Sequence, residues 1–545
     1  MPIKKLLSLQ PFDWSWAENK RSGRVGVGER LKNVVGIEGK TWEFLKPMVG
    51  YNAANITLGG AGYTLSLYHQ QYLTFVEGLP VGIATNIGGI SGIVDAFTDV
   101  VMGAMTDKTR SRFGRHRRYL LWGALPFAIS FIMRWTSFGL SSSAGTHAIF
   151  LYYLCASLLY GASYTVMAIP HNAMLPQVAP QYFLRTQFKI VEYAFNSIGQ
   201  TSSFLLMGLV LGGTNMPDPS PADRGKYMWV GIVLAVWFLW PPIATFFGTK
   251  APSSLDMPRE RAYILAAFAE YARVFKSRAF RQYFFMGLFN MLSRSFYSFT
   301  DQFFILSVAD KYKYFNLLNV VGGVAEFSGS PVNYMLTKHK GKQFCGDLLT
   351  PVMVAGLLLN WFVKPTSPSI ILYIAAILYN FGFSGPGFTI QNIQPDITDI
   401  DELICGKRRE GVISTANSFF KKTIGSGTSF VLGNMLQHVF RYDTSKKHYT
   451  EQTALSTLGL RLNFTIFPAI CALIMYFLIK RYKLTKADHE LIRTLIAQKH
   501  ETGHPPAVSP DDILRLENIT GVKWHDMWIS WPQWQEQEQC TTLDS

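Results

Sequence analysis

Charge is scarce in this chain. Only 16% of its 545 residues are Asp, Glu, Lys or Arg, against 48% hydrophobic and 14% aromatic residues. A soluble domain carries roughly 25% charged residues, so the composition excludes an ordinary water-soluble core and argues for many apolar segments in a membrane. Cysteine is sparse too. Cys155, Cys345, Cys405, Cys471 and Cys540 are scattered. Without a C-x-x-C pair or His-rich spacing they offer neither a disulfide framework nor a metal cluster. There is no phosphate-cradling P-loop for ATP-driven pumping, no G-x-S-x-G elbow and no H-E-x-x-H, which leaves no catalytic assignment and no cofactor. The N-terminal stretch lacks an apolar run long enough for a cleaved signal. It reads as a cytoplasmic leader with Trp14 and Trp16 at the interface.

What is present is apolar helix in quantity. The formal charge of +15 would suit nucleic acid, but its basic residues gather in the first 46 positions and in loops between apolar runs. Positive-inside topology and anionic headgroups explain that better. Spans are expected at about 49–76, 81–105, 119–135, 148–174 and 188–211, with a sixth ending near Phe247. A charged loop containing RERAYILAAFAEYARVFKS follows. The second set includes spans at about 348–363 and 370–389, one beginning near Ser414, and a last at about 464–478. The chain thus divides into a cytoplasmic leader (1–46), a six-helix bundle (47–247), a central cytoplasmic loop (248–278), a second six-helix bundle (279–483) and a cytoplasmic tail (484–545). The tail has a helical piece, ADHELIRTLIAQK, and a Trp-rich end (Trp524, Trp528, Trp531, Trp534). The expectation is an all-α membrane protein of about twelve transmembrane helices, both termini cytoplasmic, monomeric, in the cell inner (plasma) membrane, with lipid and a small-molecule substrate as its partners.

The most informative stretch is Asp95 to Tyr119, DAFTDVVMGAMTDKTRSRFGRHRRY. Asp95 and Asp99, at i and i+4, share one helix face. Apolar and small residues flank them, which indicates membrane depth. An acid there costs roughly 2.5–3.5 kcal/mol on insertion scales, so a close pair needs a basic partner or a cation. From the residues alone, a structural ion pair and a coupling-ion site stay open. Elsewhere, Arg294 lies inside an aromatic helix and must find an acid, a carbonyl or a substrate anion; Glu326 is the candidate acid. Lys189 and Glu192 read as an end-of-helix ion pair or as a cavity acid. His69, Gln70 and Gln71 read as substrate contacts or as an interfacial cluster. A lone histidine such as His171 is more often packing, proton relay or substrate hydrogen bonding than catalysis.

The pair D-x-x-x-D followed by G-x-x-x-D-K-T-R-S-R-F-G-R resembles the second span and loop of the glycoside-pentoside-hexuronide:cation symporters, the melibiose-permease branch of the major facilitator superfamily. A second match is QPDITDIDELICGKRREG, residues 394–411. Together they cover roughly residues 45–482. The resemblance implies a major facilitator fold of two six-helix halves and a symporter coupled to Na⁺ or H⁺, with Asp95, Asp99 and Thr165 holding the cation. It implies a coupling lysine in SFFKKTIGSG, where Lys422 is preferred to Lys421. It also implies a cytoplasmic gate of Arg110, Arg112, Asp399, Glu402, Arg409 and Glu410. The galactoside-binding set is missing: Gly59, Ala168 and Tyr193 stand where that branch has two acids and an arginine. Substrate contacts are expected at Tyr51, Tyr164, His171, Tyr193 and Arg294. The substrate is expected to be a sugar, glycoside or uronide, with Arg294 tilting toward an acidic glycan. A lysophospholipid-like amphiphile or a transporter-like sensor are the alternatives.

Overall fold

The computed structural model describes residues 41–107, 109–114, 116–140, 145–178, 182–212, 218–249, 274–275, 277–406, 410–446, 448–482, 484–502 and 508–527. Most of the leader with Trp14 and Trp16, most of the amphipathic piece of the central loop, Lys407 to Arg409, and Trp528, Trp531 and Trp534 lie outside the described residues.

Within them the chain runs as antiparallel rods. These are α1 (41–76), α2 (Val81–Asp107), α3 (Arg118–Met133), α4 (Thr146–Val178), α5 (Tyr182–Leu211) and α6 (Arg224–Gly248), then α7 (Arg278–Ser307), α8 (Phe315–Lys340), α9 (Phe344–Leu359), α10 (Ile370–Cys405), α11 (Glu410–Asn434) and α12 (Ala454–Lys480). Seven described helices are long and apolar enough to cross a membrane. Several of the others carry the polar residues that matter here. Arg294 and Asp301 lower the hydropathy of α7, and Lys421 and Lys422 lower that of α11.

Two spans differ from the sequence expectation. Helix α10 continues to Cys405, so Gln394 to Cys405 is helix rather than loop. Its carboxylates Asp396, Asp401 and Glu402 are buried, and Gly406 ends it at φ 75°, a left-handed position that glycine adopts without a Cβ penalty. Helix α12 starts at Ala454, where the Thr453 hydroxyl accepts the Ser456 N–H. Hydropathy alone missed both because these turns are amphipathic rather than apolar.

Helices α1–α6 and α7–α12 pack as two bundles that meet along α2 and α11. This seam is built from small residues. A side chain added at Gly82, Gly89 or Gly92 would run into Gln437, Phe430 or Ser426, and one at Gly433 into Thr85. Small residues let helices approach closely where lipid supplies no hydrophobic drive. Gln437 Oε1 accepts the Gly82 N–H at 2.6 Å, and Asn434 donates to Asn86 Oδ1 at 2.6 Å. At the same end of the bundle Tyr68 donates to Asn316, Tyr68 packs edge-on to Phe315, and Phe75 meets Phe303. The two halves are therefore in contact at the end opposite the Arg110–Arg118 loop.

The tail is part of the fold. Helices α13 (Lys486–Thr502) and α14 (Pro510–Thr520) bury Ile492, Leu495, Leu516 and Ile519 against Phe280, Ile397, Ile400 and Leu403 at the basic end of α7 and α10. His489 stands 3.0 Å from Asp399 and 3.4 Å from Asp396, while Lys342 holds Asp396 at 2.7 Å. Ile492→Asp places a carboxylate in this apolar contact and is expected to release the tail. Trypsin cleavage at Arg493 should then accelerate several-fold in detergent-solubilised protein; an unchanged rate would mean that Ile492 does not hold the tail.

At the other end, His448 in the loop before α12 pairs with Asp310 in the loop after α7 at 2.9 Å. The hydrogen bond to Asp310 raises the His448 pKa above its ordinary 6.5. A raised value means that the pair stabilises the fold in acid and that this stabilisation is lost as pH rises through the folded-state pKa. Both side chains are nearly half exposed, which keeps the effect small. Wild type should melt slightly above His448→Gln at about pH 5.5, and the two melting curves should merge by about pH 8.5.

Candidate functional site

The α2–α11 seam sets the central site. Lys422 Nζ lies 2.8 Å from Asp95 Oδ2 and 2.5 Å from Asp99 Oδ2. Thr165 on α4 places Oγ1 2.7 Å from Asp95 Oδ1 and 2.8 Å from Asp99 Oδ1. One hydroxyl proton satisfies one carboxylate at a time, so the hydroxyl keeps lone pairs as well. Gly161, one turn before Thr165, faces Asp95: a Cβ there would sit 3.3 Å from Oδ1. The lack of a side chain makes room for the carboxylate. The structure thus brings together four residues from three helices, Asp95, Asp99, Thr165 and Lys422. Lys421, beside them in sequence, is exposed.

Two carboxylates and one ammonium leave a net charge of −1 in this site. That charge and the oxygen lone pairs of the two carboxylates and the hydroxyl are of the kind that suits a hard cation. The Lys422 side chain is one-third exposed, so the site is reachable.

A second polar feature lies in the C-terminal half. A cavity of about 470 Å³ is walled by α7, α8, α10 and α12, with Tyr63 and Gln200 closing it from the other half. Arg294 donates to Glu326 Oε2 at 3.1 Å and to Asn380 Oδ1 at 3.0 Å, and its guanidinium lies 4.7 Å from the Phe383 ring centroid. Glu326, the candidate acid singled out from the sequence, is its counter-charge. Asp301, two helical turns beyond Arg294, faces the same cavity. The α7 spacing i, i+7 made Asp301 findable; nothing in the sequence pointed to Asn380, 86 positions away.

The other expected substrate contacts divide. Tyr164 is part-buried, donates to the Leu58 carbonyl at 3.1 Å and stacks on Tyr160. Tyr51 and His171 are corrected: both are fully buried and locked together. The rings stack at 4.3 Å, Tyr51 Oη donates to the His171 carbonyl, and His171 Nε2 lies 2.9 Å from the Tyr51 carbonyl. Neither lines the cavity, because an aromatic pair buried between α1 and α4 gains more from mutual packing than from facing solvent. Tyr193 lies on α5, and its side chain falls outside the described residues. His69 is neither interfacial nor in the cavity. It is buried against Arg134, with Nδ1 2.9 Å from Nη2. Gly59 packs on Asn196 of α5, so an acid would not fit there.

Of the gate residues, Arg110 and Arg112 are exposed at the basic end, Arg112 lying over Phe113 at 4.7 Å. Glu402 is buried within α10, and Asp399 is engaged by the tail's His489. That last contact has no counterpart in the loop pattern, because the tail lies outside it. Arg409 and the Glu410 side chain fall outside the described residues.

Two helical bundles joined by a seam, with an intramembrane acid pair at the seam and a polar cavity beside it, define a secondary transporter of the major facilitator type. Residues 50–486 match the family described as MFS/sugar transport protein, and the chain belongs to that family. Within it the chain is a member of the glycoside-pentoside-hexuronide:cation symporters, which are transporters and not enzymes. It is 25% identical to the inner membrane symporter YicJ of Escherichia coli (strain K12), over 83% of this chain and 95% of that one. It is 22% identical to an isoprimeverose transporter of Lactiplantibacillus pentosus (80% and 88%) and 24% identical to a glucuronide carrier protein homolog of E. coli (81% and 93%). Solved structures sharing the fold include a D-xylose-proton symporter (TM-score 0.54, 14% identity, covering 79% of this chain and 97% of that one) and the nucleoside transporter NupG (0.52, 13%, 81% and 99%).

Replacing Lys422 with Ala leaves Asp95 and Asp99 facing each other without their ammonium. Removing one partner of a buried pair costs roughly 3–5 kcal/mol; the partial exposure of Lys422 places the expected loss below that. Lys422→Ala should therefore melt lower than wild type in choline buffer, and Na⁺ should narrow the gap. An equal deficit in both salts would argue against a cation sharing the lysine's position.

Proposed function

We propose that this multi-pass membrane protein is a cation-coupled symporter of a sugar or glycoside, working by alternating access, with Na⁺ or H⁺ bound at Asp95, Asp99 and Thr165. The observation that carries the reading is the Lys422 ammonium between two intramembrane carboxylates. Relatives named as symporters of glycosides and as a glucuronide carrier support a sugar-type substrate. The basic loops are assigned to the cytoplasm, with twelve crossings and both chain ends on that side of the plasma membrane.

In this reading the cation joins Lys422 at the carboxylates and loosens its ion pairs. With the ion in place the site totals zero charge, which membrane depth favours over −1. The freed α11 then adjusts against α2, and because these helices are the seam between the halves, cation loading biases the rocking of one bundle over the other. Coupling follows because the ion gains its differential affinity from one arrangement of the seam. Buried acids at the basic end of α10, together with Arg110, Arg112 and Arg409, serve as the cytoplasmic gate.

Asp95→Asn and Asp99→Asn are each expected to reduce cation-driven accumulation by at least about tenfold. Both should leave exchange of labelled for unlabelled substrate less affected. Uptake by expressing cells, with and without Na⁺ at two pH values, reads this. Full gradient-driven accumulation in Asp95→Asn would remove the assignment. A drive that follows acid pH alone would make the ion H⁺ at the same carboxylates.

A further inference from the structure

We propose that substrate recognition in this chain has its centre in the C-terminal half, in the cavity around Arg294, and that this cavity takes an uncharged or amine-bearing pyranoside and disfavours a uronide. The inference rests on the symporter reading above and names its substrate class.

The cavity has the chemistry of a polyol site. Arg294 presents donors, while Glu326 and Asp301 present acceptors, and the Asn380 side-chain oxygen accepts from Arg294. Hydroxyl groups use both, since each gives one hydrogen and accepts into lone pairs. An aromatic wall completes it: Tyr297 stacks between Tyr379 (3.7 Å) and Phe464 (4.7 Å), and Tyr297 and Phe464 both line the cavity. The stack occupies both faces of Tyr297, so these rings hold the cavity wall rigid. Gly323 on α8 also lines the cavity, and a Cβ there would meet open space. The volume, about 470 Å³, falls in the usual small-molecule range of roughly 300–1,000 Å³.

The charge count decides the class. One guanidinium faces two carboxyl groups, Glu326 and Asp301, so the cavity has no cationic surplus to offer an anion. Arg294 is not a free anion receptor, because Glu326 already holds one of its arms and Asn380 another. A substrate carboxylate would have to displace Glu326 and then lie beside Glu326 and Asp301. Like charges held together in this way discriminate strongly against a ligand. This reverses the tilt toward an acidic glycan that an isolated Arg294 suggested. From the opposite half the cavity receives Tyr63, Ser66 and Gln200, none of them charged, whereas Tyr51 and His171 are sealed against each other and Gly59 is closed by Asn196.

A packing contact links α7, one wall of the cavity, to α11 of the cation site. Met291, one turn before Arg294 on α7, packs where a Gly425 side chain would stand, and Gly425 lies one turn beyond Lys422 on α11. Movement of Lys422 therefore has a short mechanical path to the cavity.

The test uses full-length protein in proteoliposomes under a Na⁺ gradient, at neutral and acid pH, with three labelled sugars that differ in charge on one ring. These are methyl β-D-glucoside, methyl β-D-glucosaminide and methyl β-D-glucuronide. The first two should accumulate at least about tenfold more than the glucuronide. Glu326→Gln, which frees Arg294, should narrow that ratio severalfold. Asp301→Asn removes one of the two acids while sparing the Arg294–Glu326 pair, and it should narrow the ratio even if Glu326→Gln fails to fold. Equal or preferred glucuronide uptake overturns the inference, as does a ratio unmoved in Asp301→Asn. If none of the three sugars moves while Na⁺ still raises the melting temperature of wild type and not of Asp95→Asn, the cation site stands and the cavity assignment falls. If accumulation of any sugar survives Asp95→Asn in full, the symporter reading falls instead.

Discussion

One ammonium between two carboxylates organises this molecule. Lys422 reaches Asp95 and Asp99 only because α2 and α11 approach closely, and they do so because the facing positions are Gly82, Gly89, Gly92 and Gly433. Larger side chains along that line would push the helices apart and leave three charges unpaired in a low-dielectric interior. The seam and the site are therefore one device. The same contact that joins the halves also holds the charge that a transported cation would join.

The cavity beside it shows how a charge in an apolar helix acquires its meaning from neighbours. Arg294 alone reads as an anion receptor. With Glu326 at 3.1 Å, Asn380 at 3.0 Å and Asp301 in the same cavity, it becomes part of a hydrogen-bonding surface. Pairing also explains how α7 carries a guanidinium without leaving it unsatisfied, since each arm has a partner and an aromatic face lies beside it.

The tail adds a feature specific to this chain's own residues beyond the shared pattern. Its helices cover the basic end of α7 and α10, and His489 reaches the α10 acids that also belong to the proposed gate. A buried apolar contact fixes α13 against the C-terminal bundle, so whatever α10 does during the cycle the tail is positioned to feel.

Sequence alone determined the class, the order of the helices and the Asp95–Asp99 pair. A pair of acids four apart in an apolar helix has few physical uses, and a basic loop beside it fixes its neighbourhood; both are local facts, legible in 25 consecutive residues. The resemblance then singled out Thr165 and Lys422, which lie 66 and 323 positions beyond Asp99. Helix ends were less legible, because α10 and α12 continue through amphipathic turns that hydropathy counts as loop. Only the tertiary structure decided which polar residues share a space. It set Tyr51 against His171 and took both out of the cavity. It joined Asn380 to Arg294 and brought His489 under α10. Those pairings depend on packing between distant helices, and nothing in the spacing of residues along the chain encodes them.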